Sequence, residues 1–369
     1  MSAVPPSSAA VVNLDDVDGL QTADRDGLLR AAAMAGAQVR ATAAALDEGD
    51  LESLRADGVP RTLIWVAGRG SAETAGALLA SAWGASVAAP VVLAPEAPPW
   101  IGPLDVLIVA GDDPGDPALV NAAAAGVRRG ARVVVAAPYE GPLRDVAAGR
   151  AAVLPPRMQV PDEFGFVRYL AAGLATLKVV DPAVHVDLAA LADELDAEAL
   201  RNSAGRELFT NPAKALAEQM SGREVVLAGD SAATLTLARH CAAVLLRTAR
   251  QVVAAVGFAD ALVALRDGMG GASAADRERS IFHDEQLDGP LPRRVQTFVL
   301  TTDAERPFVV ARAAGMDDVD VISAQDVPEL PEAAAVPDAP ASAGRLEQQL
   351  AMLALRLEMT AVYLKLVRG

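Results

Sequence analysis

Cysteine, lysine and aromatic side chains are the scarce types in this 369-residue chain, and each shortage excludes something. The single cysteine, Cys241, allows neither an internal disulfide nor a cysteine-based metal cluster; beside His240 in an apolar run it reads as an inert buried thiol. Lysine occurs only at 178, 214 and 365, so arginine carries nearly all the positive charge. Aromatics make up 4% of residues while 52% are hydrophobic, much of that alanine, which predicts helices packed closely through small side chains. No uninterrupted apolar stretch is long enough for a bilayer, and the N-terminus lacks a charged-then-apolar leader, so a soluble cytoplasmic protein is expected.

Positive charge is also short. A formal net charge of -16 argues against nucleic acid, whose binding is dominated by phosphate neutralisation, and against anionic membrane surfaces. It leaves room for a small phosphorylated ligand held by local amides. No His/Asp/Glu spacing reads as a metal site, the Walker pattern is missing, and a dinucleotide fingerprint would need a third glycine where Glu73 stands. No cofactor and no metal are expected.

Against these absences stands one informative stretch. Residues 63–67 are an apolar run that stops at Gly68-Arg69-Gly70, and a small-residue helix begins at Ser71. A buried parallel strand hands over to a helix N-terminus in this way. Glycines at 68 and 70 permit positive φ and close approach of an anion, Ser71 is a candidate N-cap, and the amides behind it point where a phosphate would sit. A tight turn without ligand is the competing reading. The pattern recurs at 225–234, where Val-Val-Leu-Ala leads through Gly229-Asp230-Ser231 into a second small-residue helix, so two similar α/β halves are predicted.

Along the chain, an Asp-rich, flexible lead-in is expected over 1–25. A first α/β domain follows at 26–205, with strands at 62–66, 90–93, 105–109 and 131–136 and helices at 72–83, 117–129, 161–178 and 187–199. A second α/β domain spans 206–325. There Asn211 caps a helix opened by Pro212, and strands are expected at 224–228, 251–255, 295–301 and 319–322. A Pro/Ala-rich tether at 326–343 leads to a helix over 344–369 whose apolar residues cover more than one face. Such a helix belongs to the core, to a dimer interface, or to both.

Gly68-Arg69-Gly70-Ser71, Asn211-Pro212-Ala213-Lys214, the segment 281–303 around Phe282-His283-Asp284-Glu285, and the ending Thr360-Ala361-Val362-Tyr363-Leu364 occur in an order that resembles the sugar isomerase (SIS) domain family. The likeness is to its bifunctional phosphoglucose/phosphomannose isomerases and covers most of residues 35–369. It implies two αβα sandwich halves with parallel sheets plus the C-terminal apolar helix. It also implies a sugar-phosphate ligand, for which the candidate residues are Gly68, Arg69, Gly70, Ser71 and Thr74; a homodimer is expected as well. The family's reaction is a proton shift between C1 and C2 of an open-chain sugar phosphate, and the residues for it are displaced here. The second phosphate loop, rich in serine and threonine in the family, reads Gly111-Asp112-Asp113-Pro114-Gly115-Asp116. The position of the catalytic glutamate falls in Arg247-Thr248-Ala249-Arg250, which has no carboxylate. Neither the family's histidine nor its arginine is matched, and Lys365 lies on the helix rather than beyond it. His283 and Glu285 are the remaining acid/base candidates, against the reading of a solvated loop.

Three readings follow. A sugar-phosphate-binding protein with an impaired site ranks first. An active aldose–ketose isomerase interconverting fructose 6-phosphate with glucose or mannose 6-phosphate ranks second, and a non-catalytic partner subunit third.

Overall fold

The computed structural model describes residues 12–56, 58–269, 295–316, 318–325 and 345–368. In the first half the elements run α1 (Val17–Ala23), α2 (Leu28–Ala33), α3 (Ala35–Asp47), β1 (Thr62–Ala67), α4 (Ser71–Trp83), β2 (Val91–Leu93), β3 (Asp105–Ala110), α5 (Pro117–Arg129), β4 (Arg132–Ala136), α6 (Gly141–Ala147), β5 (Ala151–Val153), α7 (Phe166–Val180) and α8 (Leu188–Arg201). The second half continues with α9 (Pro212–Met220), β6 (Glu224–Gly229), α10 (Ala232–Ala249), β7 (Val253–Gly257), α11 (Phe258–Arg266), β8 (Val295–Leu300), α12 (Arg306–Ala313) and β9 (Val319–Ile322). The last helix, α13, is Leu346–Arg368.

The apolar runs become two wholly parallel sheets, ordered β2-β1-β3-β4-β5 and β7-β6-β8-β9. β1 and β6 take the same place in their sheets, as the repeated strand–glycine–serine pattern predicts. Both faces of each sheet are covered, which is why the strands read as continuous apolar runs rather than alternations. On the outer faces, α5 and α6 cover the first sheet and α11 and α12 the second. On the inner faces a single core runs through both halves, with α4 packed directly on α10.

Small side chains make that inner layer possible. A Cβ at Gly76 would lie 2.3 Å from Cδ1 of Trp65, whose indole donates to the Ala72 carbonyl at 3.0 Å. The ring thus lies flat under α4, where only a glycine fits over it.

Differences from the sequence reading have local causes. No element was expected between 136 and 161, yet α6 and β5 lie there; seven and three residues are too short for either hydrophobic period to register. The strand expected at 251–255 runs 253–257. Arg250 ends α10 with φ 53°, and the buried Gln251 donates its amide to the carbonyls of Met220 and Arg223, which keeps both outside the strand. The helix expected from 161 begins at Phe166 after a 3-10 turn, Asp162–Phe164. In the lead-in, Asp16 caps α1, Leu20 is fully buried, and Asp15 accepts from the Leu208 amide at 2.7 Å.

α13 lies in the core. Residues 347–364 are all buried within this one chain, against α10, α9, α8 and α2. Its Arg356 donates through Nε to Glu198 Oε1 at 2.7 Å and through Nη2 to Oε2 at 3.3 Å, and reaches the carbonyls of Ser323 and Ala324 at 2.9 and 2.8 Å. Tyr363 donates to the Asn202 carbonyl at 2.7 Å. The Asn211-Pro212-Ala213-Lys214 motif is structural too. Asn211 caps α9, and the buried Lys214 ammonium donates to the carbonyls of Ala204 and Arg206 at 2.8 and 2.6 Å, with burial lowering its pKa. Among the described residues no helix is long and apolar enough to cross a membrane.

Candidate anion-binding site

The loops that follow β1 and β3 meet where the strand order reverses, the place at which doubly wound sheets open a crevice. Gly68 donates to the Ala110 carbonyl at 2.7 Å, and a Cβ on Gly68 would lie 3.5 Å from the Gly111 Cα. The chain then turns through Gly70 at φ 72°, ψ -127°, conformational space that suits glycine.

Gly70, not Ser71, is the N-cap of α4, and it offers no side chain to the first-turn amides. Ser71 is the first helical residue, 2% exposed, and its hydroxyl donates to the Asp162 carbonyl at 2.9 Å. Thr74 donates to the Gly70 carbonyl at 3.2 Å. Both hydroxyl protons expected to face a phosphate are therefore engaged with the backbone. The first-turn amides of α4 receive no side-chain cap and have no intrahelical acceptor, and two arginines lie at the turn. Arg69 is exposed beside the turn. Arg247, from the last full turn of α10, places Nη1 3.6 Å from where a Gly70 Cβ would stand. Its position at the turn depends on α4–α10 packing between the two halves, and no local signal marks it.

The matching turn in the second half is closed. Ser231 caps α10, accepting from the Thr234 amide at 3.3 Å while the Thr234 hydroxyl accepts from the Ser231 amide at 3.0 Å. A Cβ on Gly229 would lie 2.1 Å from the Leu235 nitrogen, so the helix sits directly on the strand end. Asp230 is paired with Arg312 at 2.6 Å. Of two turns built alike, one is self-capped and one has no side-chain cap.

The acidic loop after β3 is satisfied internally. Asp116 accepts from the Ala118 amide and Asp113 from the Gly115 amide, both at 2.8 Å. Asp112 accepts from Arg168 Nη2 and from the Tyr169 hydroxyl, both at 2.5 Å, and burial pushes the Tyr169 phenol well up. The chain's own carboxylates thus occupy the donors that a serine- and threonine-rich loop would turn toward an external anion. Asp162, beside Ser71, has its carboxyl pKa raised, first by burial and then by Asp112 and Glu163, against Arg168 and Arg247.

The other candidate residues separate. His240 is in the core, 3.0 Å from Glu358, with its ring tilted 33° against Phe166 at a centroid distance of 4.6 Å. Lys365 pairs with Asp26 at 2.9 Å. Cys241 is buried, which pushes its thiol pKa up. His283 and Glu285 lie outside the described residues.

By sequence, no protein-family model and no curated protein matches this chain. Solved structures do match by fold. Tagatose-6-phosphate ketose/aldose isomerase from Escherichia coli is 14% identical at a TM-score of 0.59, with 99% of this chain and 95% of that one covered. The C-terminal domain of glucosamine-fructose-6-phosphate aminotransferase from Francisella tularensis is 13% identical at 0.57, covering 94% and 98%. A glucose-6-phosphate isomerase like protein from Thermus thermophilus is 17% identical at 0.51, covering 97% and 94%. Two parallel-sheet halves with matching strand orders, and these similarities over nearly the whole chain, give one conclusion: the chain has the sugar isomerase fold.

Proposed function

We propose that this protein binds a sugar phosphate at the Gly70 turn and lacks the usual isomerase machinery. One observation carries the reading: α4 begins at an uncapped glycine facing the Arg247 guanidinium, whereas its counterpart α10 is self-capped. Open first-turn amides and an adjacent guanidinium are complementary to a phosphate. The sugar phosphates in the names of the E. coli and F. tularensis proteins support the ligand class. The described end of α10 presents Arg247 and Thr248, and neither can take a proton from a sugar carbon at neutral pH.

The test is calorimetric titration with glucose 6-phosphate and fructose 6-phosphate. An exposed guanidinium ~4 Å from a phosphate contributes about 1 kcal/mol per unit charge in a water-like dielectric. Arg247→Ala should therefore weaken binding roughly 5- to 30-fold and Arg247→Glu further, while Ser231→Ala leaves it unchanged. Equal affinity in wild type and both Arg247 variants would overturn the assignment.

A second reading has one observation in its favour. The raised carboxyl of Asp162 beside the turn is suited to accept a proton, which supports an aldose–ketose isomerase with a relocated base. Isomerase turnover abolished by Asp162→Asn, with binding intact, would put this reading first.

A further inference from the structure

We propose that a cavity between α3, α7 and the segment after β5 is a second ligand site, one that takes the hydroxymethyl end of a neutral polyol or sugar. Two buried polar atoms in its wall have no hydrogen-bond partner among the described residues: Gln38 Oε1 and Arg168 Nη1. Gln38 is 2% exposed, and its Nε2 donates to the Phe164 carbonyl at 3.0 Å, which fixes the amide and leaves its oxygen without a partner among the described residues. Arg168 is fixed by its other nitrogen, Nη2, which is held by Asp112 and lies 2.7 Å from the Tyr169 hydroxyl. The rest of the wall is largely apolar, from Ala41, Ala45, Ala136, Leu154 and Met158.

Buried donors and acceptors are nearly always satisfied, and each exception calls for a cause. Gln38 Oε1 as acceptor and Arg168 Nη1 as donor, on a wall that also carries Thr42 and Arg157, are complementary to hydroxyl groups, which both donate and accept. A carboxylate or phosphate fits poorly. It has nothing to donate to Gln38, and Arg168 is already neutralised by Asp112. The space, about 20 Å³, admits a water-sized group and little more, so a sugar ring stays outside and only a hydroxymethyl end enters. Ala136 ends β4, so the cavity lies at the carboxyl edge of the first sheet, where α/β folds place ligands. The Arg168–Asp112 pair links it to the loop beside the Gly70 turn. Arg157, which also lines the cavity, is bidentate to Glu48 at 2.8 and 2.5 Å and ties the segment after β5 to the end of α3.

Met158 supplies the reporter. Full-length protein labelled with methionine ¹³C-methyl groups is titrated with glycerol, and the methyl resonances are followed by NMR. The expected result is a saturable shift of the Met158 methyl with a millimolar dissociation constant, while Met352 in the core does not move. Gln38→Leu removes the acceptor at similar volume and should weaken glycerol at least tenfold. Ala41→Leu fills the space from a half-buried position and should abolish the shift, which keeps the test decisive if Gln38→Leu does not fold. An unsaturating drift in wild type, meaning a structural water only, or undiminished affinity in either folded variant, overturns the proposal.

Discussion

Removing the Arg356 guanidinium tests what joins the C-terminal helix to both halves. Arg356 and Glu198 are 1% and 0% exposed, and the contact is bidentate. Arg201 Nε at 2.9 Å and Asn202 Nδ2 at 2.7 Å complete the carboxylate's shell. Arg356→Met keeps an unbranched side chain but leaves Glu198 with those two donors among the described residues, and the carbonyls of Ser323 and Ala324 lose this one. Breaking a buried pair from one side costs about 3–5 kcal/mol, because the remaining charge stays desolvated. The partly exposed Arg201 keeps the expected value near the lower end, ~3 kcal/mol. Adding Glu198→Gln removes the stranded charge, so the double variant should regain part of that loss, with a coupling of at least ~1 kcal/mol in a double-mutant cycle. Urea unfolding at pH 7 reads all four proteins. The pH dependence is a further check. Burial alone would raise the Glu198 pKa, but Arg356, Arg201 and Asn202 outweigh it and hold the pKa below the ordinary carboxyl value. A depressed carboxyl contributes stability above its unfolded pKa and loses it as pH falls through the folded one, so the gap between wild type and Arg356→Met should narrow in acid. If Arg356→Met lies within ~1 kcal/mol of wild type at pH 7, or the gap does not change with pH, the network does not hold the helix in this way.

Much of the fold was legible because its signals are local. Apolar runs before Gly68 and Gly229 mark the two central strands, and Asp116-Pro117 and Asn211-Pro212 mark helix starts where they occur. The candidate site was legible only up to the turn. Sequence points to Ser71 as the cap, but the hydroxyl turns to the Asp162 carbonyl, an acceptor brought there by tertiary packing. Arg247 was visible only as a residue in the place of a missing base. Its nearness to Gly70 follows from α4 lying on α10, which no local pattern encodes. The aspartates of the second loop were legible as standing where the family has serine and threonine. Their engagement with Ala118, Gly115, Arg168 and Tyr169 was not, because it depends on loop conformation and on a helix over fifty residues away. α13 read as apolar on several faces, and its burial inside one chain needed the surrounding helices.

Gly70→Ala should cost stability through backbone strain rather than collision. A Cβ there meets only Arg247 Nη1 at 3.6 Å, an ordinary contact, while φ 72° with ψ -127° is disfavoured for alanine by ~1–3 kcal/mol. A urea midpoint indistinguishable from wild type would show that the turn is not held in this conformation. The other prediction concerns Glu358, a fully buried carboxyl 3.0 Å from His240 Nε2. Burial raises its pKa, and His240 and Arg247 offset this only in part. A carboxyl with a raised folded pKa binds its proton more tightly in the native state. Its contribution is therefore full below the unfolded pKa and is lost as pH rises through the folded one. Glu358→Gln keeps a neutral partner for His240 and removes the charge that burial disfavours. The variant should gain on wild type as pH rises from 4 to 8, by about 1.4 kcal/mol for each pH unit by which folding raises the wild-type pKa. Urea midpoints across that range decide the matter. A difference that is flat with pH, or that grows in favour of wild type, would mean that the partners of Glu358 compensate its buried charge fully.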